Sequence, residues 1–216
     1  KNIMFYFKTR FLLQGIRRVI SLKMNKRVFF VTCFFMILTF IFTYPLILRI
    51  KSNIIATDTT DESFAWLAYF WWLKYAFQHH LANTNYSIIA APFGLDISKE
   101  ILYPACNFCS KWLSIFTDSA VSYNIQILLS FILSGITMFY LAFALTREKF
   151  SSLFAGIIYA FCPYHFARAW QHLSLSQIQW MPLYILTLIK LQERPNYKYM
   201  FLSILALIVV ISSEFH

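Results

Sequence analysis

Residues 28–48 read VFFVTCFFMILTFIFTYPLIL, twenty-one residues without a charge, with Lys26 and Arg27 before them and Arg49 and Lys51 after. A hydrocarbon core about 30 Å thick asks for roughly 20 predominantly apolar residues in a helix, so this stretch predicts a first transmembrane span. A cleaved signal peptide is the competing reading. Its apolar region would be shorter, and Phe42-Thr43-Tyr44-Pro45 is unlike the small-residue motif at which such peptides are cut.

Runs of the same character recur at 121–145, 150–167, 175–189 and 199–213. Thr146 to Lys149 forms a polar turn between two of them, Pro163 ends or kinks the third run, and Pro182 breaks the fourth. With 59% hydrophobic, 20% aromatic and only 13% charged residues, the chain carries more apolar surface than a soluble domain of its size can bury. The expected fold is all-α: a multi-pass transmembrane helix bundle over residues 28–216, preceded by a basic segment, residues 1–27.

Charge orients that bundle. Residues 1–27 hold eight Lys or Arg and no acid, and the positive-inside rule keeps such a segment in the cytoplasm. Alternation then puts Arg147, Lys149, Lys190, Arg194 and Lys198 inside and the long first loop, 49–120, outside, giving a multi-pass protein of the cell membrane. The net charge of +10 follows from this topology. Its basic residues flank spans and no DNA motif is present, so the expected partner is the lipid bilayer and not nucleic acid. Met24-Asn25-Lys26-Arg27 reads like a start of translation, which makes the preceding residues upstream sequence or, if native, an amphipathic surface helix over Phe5–Ile20.

The outer loop holds six of the nine acids: Asp58, Asp61, Glu62, Asp96, Glu100 and Asp118. Loops of that length are usually functional. Within it, Phe64 to Phe77 packs eight aromatic residues around a single charge, Lys74. As a helix it measures about 21 Å, short for a span, and its Trp and Tyr suit the headgroup level, so it predicts an interfacial helix. Thr59 and Glu62 have capping-box spacing, and Asp61 would sit in a first turn, where the helix dipole favours an anion. Asp58 is left without a structural task just beyond the first span. Asp58 and Asp61 are therefore the candidate catalytic bases.

A second polar cluster lies at the outer ends of the third and fourth runs: His165, Arg168, Gln171 and His172, then Gln177 and Gln179. Such groups near lipid normally face a bundle interior or an aqueous cavity. A fixed cation flanked by two histidines suits a phosphate, whose oxygens a guanidinium binds bidentately. Arg168, His165 and His172 are the candidate phosphate ligands, with an interfacial Arg reaching to headgroups as the plainer alternative. Cys33 and Cys162 lie in or near spans, and Cys106 and Cys109 form a lone CxxC without further ligands at finger-like spacing. No cofactor is expected, and a divalent metal has no supporting ligand set.

Several of these residues carry a resemblance. Asp58-Thr59-Thr60-Asp61 after the first span, Phe70-Trp71-Trp72-Leu73-Lys74 and Ala91-Pro92-Phe93-Gly94-Leu95-Asp96 resemble the GT-C superfamily of multi-pass glycosyltransferases, which includes the protein O-mannosyltransferases and the lipid A aminoarabinose transferases. Tyr159-Ala160-Phe161-Cys162-Pro163-Tyr164 and His172-Leu173-Ser174 are similar to bacterial membrane proteins described as GT-C-like. The resemblance covers about residues 24–216 and reads as an N-terminal fragment, since these enzymes have more spans. It implies a sugar donor on a polyprenyl phosphate, an acceptor on the non-cytoplasmic face, and a first-loop acid, Asp58 or Asp61, that deprotonates the acceptor. A transporter or lipid flippase, favoured by Pro163, Pro182, Gln177 and Gln179, and a noncatalytic assembly protein of the cell envelope are the other classes left open.

Overall fold

Helix α3 (Ser119–Thr146) is the element against which most of the chain packs, touching helices α2 (Glu62–Gln78), α4 (Lys149–Ala160) and α6 (Trp180–Glu193). The computed structural model describes residues 26–56, 62–82, 85, 86, 88, 92–96 and 112–213. The chain divides into two compact units, residues 1–34 and 35–216, with the boundary inside helix α1 (Lys26–Phe42). Helices α5 (Pro163–Gln171) and α7 (Tyr197–Ser213) complete an all-helical fold, apart from one antiparallel pair of two-residue strands, β1 (Asn85–Tyr86) and β2 (Leu95–Asp96).

The expected first span, 28–48, is corrected by the structure: helix stops at Phe42 and a separate 3₁₀ turn occupies Leu46–Arg49. Pro45 lacks an N–H and disfavours helical backbone at Tyr44, while the Thr43 hydroxyl donates to Thr39 O at 2.7 Å and closes the last turn. The expected fourth run, 175–189, is displaced. Its helix begins at Trp180, so Pro182 stands in the first turn, where no N–H partner is needed, and does not break it. The third run divides as expected: α4 ends at Ala160, and Pro163 is the first residue of α5.

Two stretches, Ser119–Thr146 and Lys149–Gln171, are long and apolar enough to cross a membrane. Exposed apolar side chains cover the outside of α4 (Phe150, Phe154, Ile158) and α7 (Phe201, Ile204, Ile208, Ile211). The interior is built on close backbone approach. The Phe35 ring, fully buried, lies over Gly135 of α3 and Gly156 of α4. A Cβ at Gly135 would overlap the ring, and one at Gly156 would stand 2.5 Å from Phe35 Cζ and 2.8 Å from the Gly135 carbonyl oxygen.

At the far end of α3, Arg147 adopts a left-handed φ of 60° and donates its N–H to Phe143 O at 3.1 Å. The Glu148 carboxylate then accepts from the Ser151 N–H at 2.6 Å, capping α4. That bond holds the Glu148 carboxyl below its usual range. Arg147 also pairs with Glu193 at 3.5 Å, which brings the last turn of α6 to the same end. At the near end, Asn124 donates to Ile50 O and Asn53 O at 2.9 and 2.7 Å, fastening the segment after the 3₁₀ turn onto α3.

Overpacking predicts that Gly135→Ala and Gly156→Ala each lower stability by about 1–3 kcal/mol in thermal unfolding of the purified chain. Phe35→Leu should relieve Gly135→Ala more than Gly156→Ala, because only the latter also meets a backbone oxygen. Glu148 has the opposite kind of signature, in pH. Its carboxyl is depressed in the folded state, so its cap contributes fully above the ordinary carboxylate range and is lost as the pH falls through the lowered value. The stability difference between wild type and Glu148→Ala should therefore shrink on acidification; a constant difference would show that the charged cap is not responsible.

Candidate functional site

The near end of α3 collects the polar groups. Trp66, Phe70 and Leu73 of α2 pack with Tyr123, Ile127 and Phe131 of α3 and with Ala169 and Leu173 beyond them in one buried cluster. The aromatic helix expected over Phe64–Phe77 is thus present as α2, and one of its faces is packed against protein. Tyr123 donates its hydroxyl to Ser63 Oγ at 3.2 Å, which sets the start of α2 beside the second turn of α3.

Helix α5 supplies the opposite wall. His165, Ala169 and Leu173 lie at four-residue spacing and are all buried. Tyr164, Arg168 and His172 repeat the same spacing one residue earlier, which turns them about 100° around the helix. They form a second row at the edge of the packed face. The Arg168 guanidinium lies over the Tyr164 ring, 5.3 Å from its centroid, and has no carboxylate partner among the described residues.

His172 caps α5, its N–H donating to Arg168 O at 2.7 Å. Its ring Nδ1–H donates to Glu62 Oε2, and the Trp66 indole N–H donates to Glu62 Oε1 at 2.8 Å. Both oxygens of one carboxylate are therefore engaged, and both side chains of the pair keep about a third of their surface, 30% for Glu62 and 34% for His172. A carboxylate that fixes Nδ1–H leaves Nε2 as a lone-pair acceptor, the arrangement that makes an imidazole a positioned base.

His165 is placed differently from its expected role. Its Nδ1–H donates to Ala160 O at 2.6 Å, its Nε2 accepts from the Ser130 hydroxyl at 3.1 Å, and its ring stacks on Phe131 at 4.0 Å. Fully buried and with both nitrogens occupied, it has nothing left for a phosphate. It is a structural residue joining α5 to α3.

Of the predicted site residues, the structure brings Arg168 and His172 together and separates His165 from them. Asp58 and Asp61 lie outside the described residues, as do Thr59, Cys106 and Cys109. Glu62, read from sequence as part of a capping box, is the functional candidate that reading missed. The available signal was Trp66, one turn later on the same helical face and able to donate to it; the partner 110 residues away left no local trace. Among the described residues, no three His, Cys, Asp or Glu side chains group to hold a metal ion. Beside α5, a cavity of about 270 Å³ is lined by apolar and aromatic groups including Phe42, Pro45, Phe166 and Trp170, with Arg49 as its charged member.

Comparison with known protein families, curated proteins and solved structures finds no match to this chain.

A double-mutant cycle tests the pair. Glu62→Ala and His172→Ala should couple by about 0.5–3 kcal/mol in unfolding free energy, whereas additive effects would mean that the contact contributes nothing. Trp66→Phe, which leaves Glu62 Oε1 without its donor, should cost on the order of 1 kcal/mol.

Proposed function

We propose that the chain is part of a multi-pass membrane glycosyltransferase that moves a sugar from a polyprenyl-phosphate carrier to an acceptor hydroxyl on the non-cytoplasmic face. The observation that carries this reading is the Glu62–His172 contact. It joins the end of the helix that bears Arg168 to Glu62, the first residue of α2, so a cation-bearing helix and a carboxylate meet at one end of the bundle.

The helix lengths support the orientation. Tyr123, level with that contact, and Arg147 are separated by about 36 Å of α3, more than a hydrocarbon core of about 30 Å. Arg147, Lys149, Lys190 and Arg194 border the far end, formed by the last turns of α3 and α6 and the first of α4. The positive-inside rule assigns that end to the cytoplasm and the Glu62–His172 end to the outside.

In the proposed reaction, a base takes the proton of the acceptor hydroxyl, its oxygen forms a bond to the anomeric carbon, and the bond from that carbon to phosphate breaks. Polyprenyl phosphate leaves as a stable anion and needs no general acid. In this reaction Arg168 binds its oxygens. The bases to be distinguished are Asp58, Asp61 and His172, the last held in orientation by Glu62. The apolar cavity with Arg49 at its lining offers room for part of a lipid chain.

One observation favours transport as a second reading. Tyr159, in the last turn of α4, donates its hydroxyl to Ile178 O at 2.8 Å, which brings the break between α4 and α5 close to Gln179, whose Oε1 is buried with no hydrogen-bond partner among the described residues, and broken helices with such groups line transport sites.

Sugar transfer from a pool of polyprenyl-phosphate donors by membranes carrying the chain, compared at matched expression, separates these outcomes. The variant that removes the base, among Asp58→Asn, Asp61→Asn and His172→Gln, should lose about 10²- to 10⁴-fold in kcat/KM, and Arg168→Lys should weaken donor binding. Full activity in all four variants would place the chemistry elsewhere. An inert wild type across a broad donor and acceptor set, with lipid or solute movement in proteoliposomes, would replace transferase by transporter.

A further inference from the structure

We infer that the cavity between the end of α1 and α5 seats one anionic phospholipid of the surrounding bilayer, its phosphate held by Arg49 and Asn53 and an acyl chain lying against Phe42, Phe166 and Trp170. Each of these residues lines the cavity, and Glu62, His172 and Arg168 are not among its walls.

The apolar wall is fixed by packing on one side and uncovered on the other. Phe42 stacks on Phe161 with centroids 4.7 Å apart and meets Phe166 edge-on at 6.4 Å. Phe42 and Trp170 nevertheless remain 52% and 44% exposed, so contacts within the chain leave part of the wall open. An apolar recess at the lipid boundary is filled by hydrocarbon, because empty space forfeits dispersion contacts and water finds few partners there.

The polar side chains of the lining are rich in donors. The Arg49 guanidinium has N–H groups and no lone pair, and it has no carboxylate partner among the described residues. The Oδ1 of Asn53 accepts from the Ser52 hydroxyl at 3.0 Å, which leaves the amide NH₂ available. The Trp170 indole is a donor only, and the Thr43 hydroxyl is taken by Thr39 O. Such a set fits a ligand whose oxygens accept and whose charge is opposite to that of Arg49, as in a lipid phosphodiester. A choline headgroup would add a cation beside Arg49 and Lys51, so the fit is to a lipid with net negative charge.

Depth agrees with chemistry. Asn124 donates to Ile50 O and Asn53 O, which fixes the donor-rich end of the cavity on α3. Asn124 stands about 34 Å along α3 from Arg147, farther than a hydrocarbon core of about 30 Å. Arg49 and Asn53 are thereby held at headgroup level, while the aromatic wall begins at Phe42, the last residue of α1. In the orientation proposed above, Arg49 and Lys51 lie on the outer side, where the positive-inside rule does not account for them.

The seat does not rest on glycosyl transfer, whose residues are Arg168 and the Glu62–His172 pair, and its test involves no turnover. A polyprenyl phosphate presents the same phosphate, so the test separates the two lipids. Native mass spectrometry of the purified chain in a neutral detergent, titrated with phosphatidylglycerol, phosphatidylcholine, decaprenyl phosphate or inorganic phosphate, reads each complex by its mass. One phosphatidylglycerol should be retained at a concentration about fivefold or more below that needed for phosphatidylcholine. Arg49→Ala should weaken its binding about tenfold, Asn53→Ala should weaken it less, and Arg168→Lys should leave it unchanged. Arg49 and Asn53 are both exposed, so their replacement leaves the packing intact. Equal retention of the two phospholipids, wild-type binding by Arg49→Ala, or displacement of the lipid by an equal concentration of inorganic phosphate would overturn the inference. Tighter binding of decaprenyl phosphate than of phosphatidylglycerol would also overturn it, giving the cavity to the sugar carrier.

Discussion

A phenyl ring seated over two glycines is the contact on which the helical core depends. Phe35 occupies space that side chains at Gly135 and Gly156 would take, and the missing Cβ atoms let the backbones of α3 and α4 come together beneath it. In lipid the surroundings are as apolar as the side chains, so helices gain little from burial as such and associate through close packing and hydrogen bonds between them. One residue from each of three helices meets at this point. Its effect is to fix α4 on α3, and the later helices inherit that placement.

Beyond α4 come a break and a short helix. α5 has nine residues, too few to be stable from its own hydrogen bonds. It is held by Ala169 and Leu173 in the shared apolar cluster and by His165, which bonds to Ser130 of α3. The buried face of α5 therefore decides where its neighbouring face goes. His172 reaches the start of α2 because it is one position out of step with the residues that α3 holds. The Glu62–His172 contact closes a ring of packing through α2, α3 and α5. A carboxylate and an imidazole left one-third exposed in that ring are suited to proton chemistry, since they are positioned by their surroundings yet open to a substrate.

The same packing gives the two ends of α3 different polar contacts. At one end Arg147 pairs with Glu193, and the Glu148 carboxylate caps α4. At the other, Asn124 holds the segment after the 3₁₀ turn, and Tyr123 reaches Ser63 at the start of α2, beside the Glu62–His172 contact. α2 itself has one face packed against α3 and α5 and another on which Phe64, Trp71 and Phe77 are exposed.

Much of the helical layout was legible in the chain itself. Apolar runs mark α3 and α7 to within two residues at either end, and Pro163 marks the break between α4 and α5, because helix length and proline backbone geometry are local properties. The end of α1 and the start of α6 were not legible in the same way, since hydrophobicity continues through Pro45 and Leu175–Gln179 carries no charge, although the backbone in neither place is an α-helix. The identity of the candidate site was only half legible. Sequence determined by itself that this is an apolar, helical chain with acids in one loop and a cation near two histidines, for those are matters of composition and spacing. Tertiary structure alone decided that His165 is core, that His172 meets Glu62 and that Trp71 remains open. Those outcomes depend on which helix faces are covered, and that is set by contacts between residues tens of positions apart.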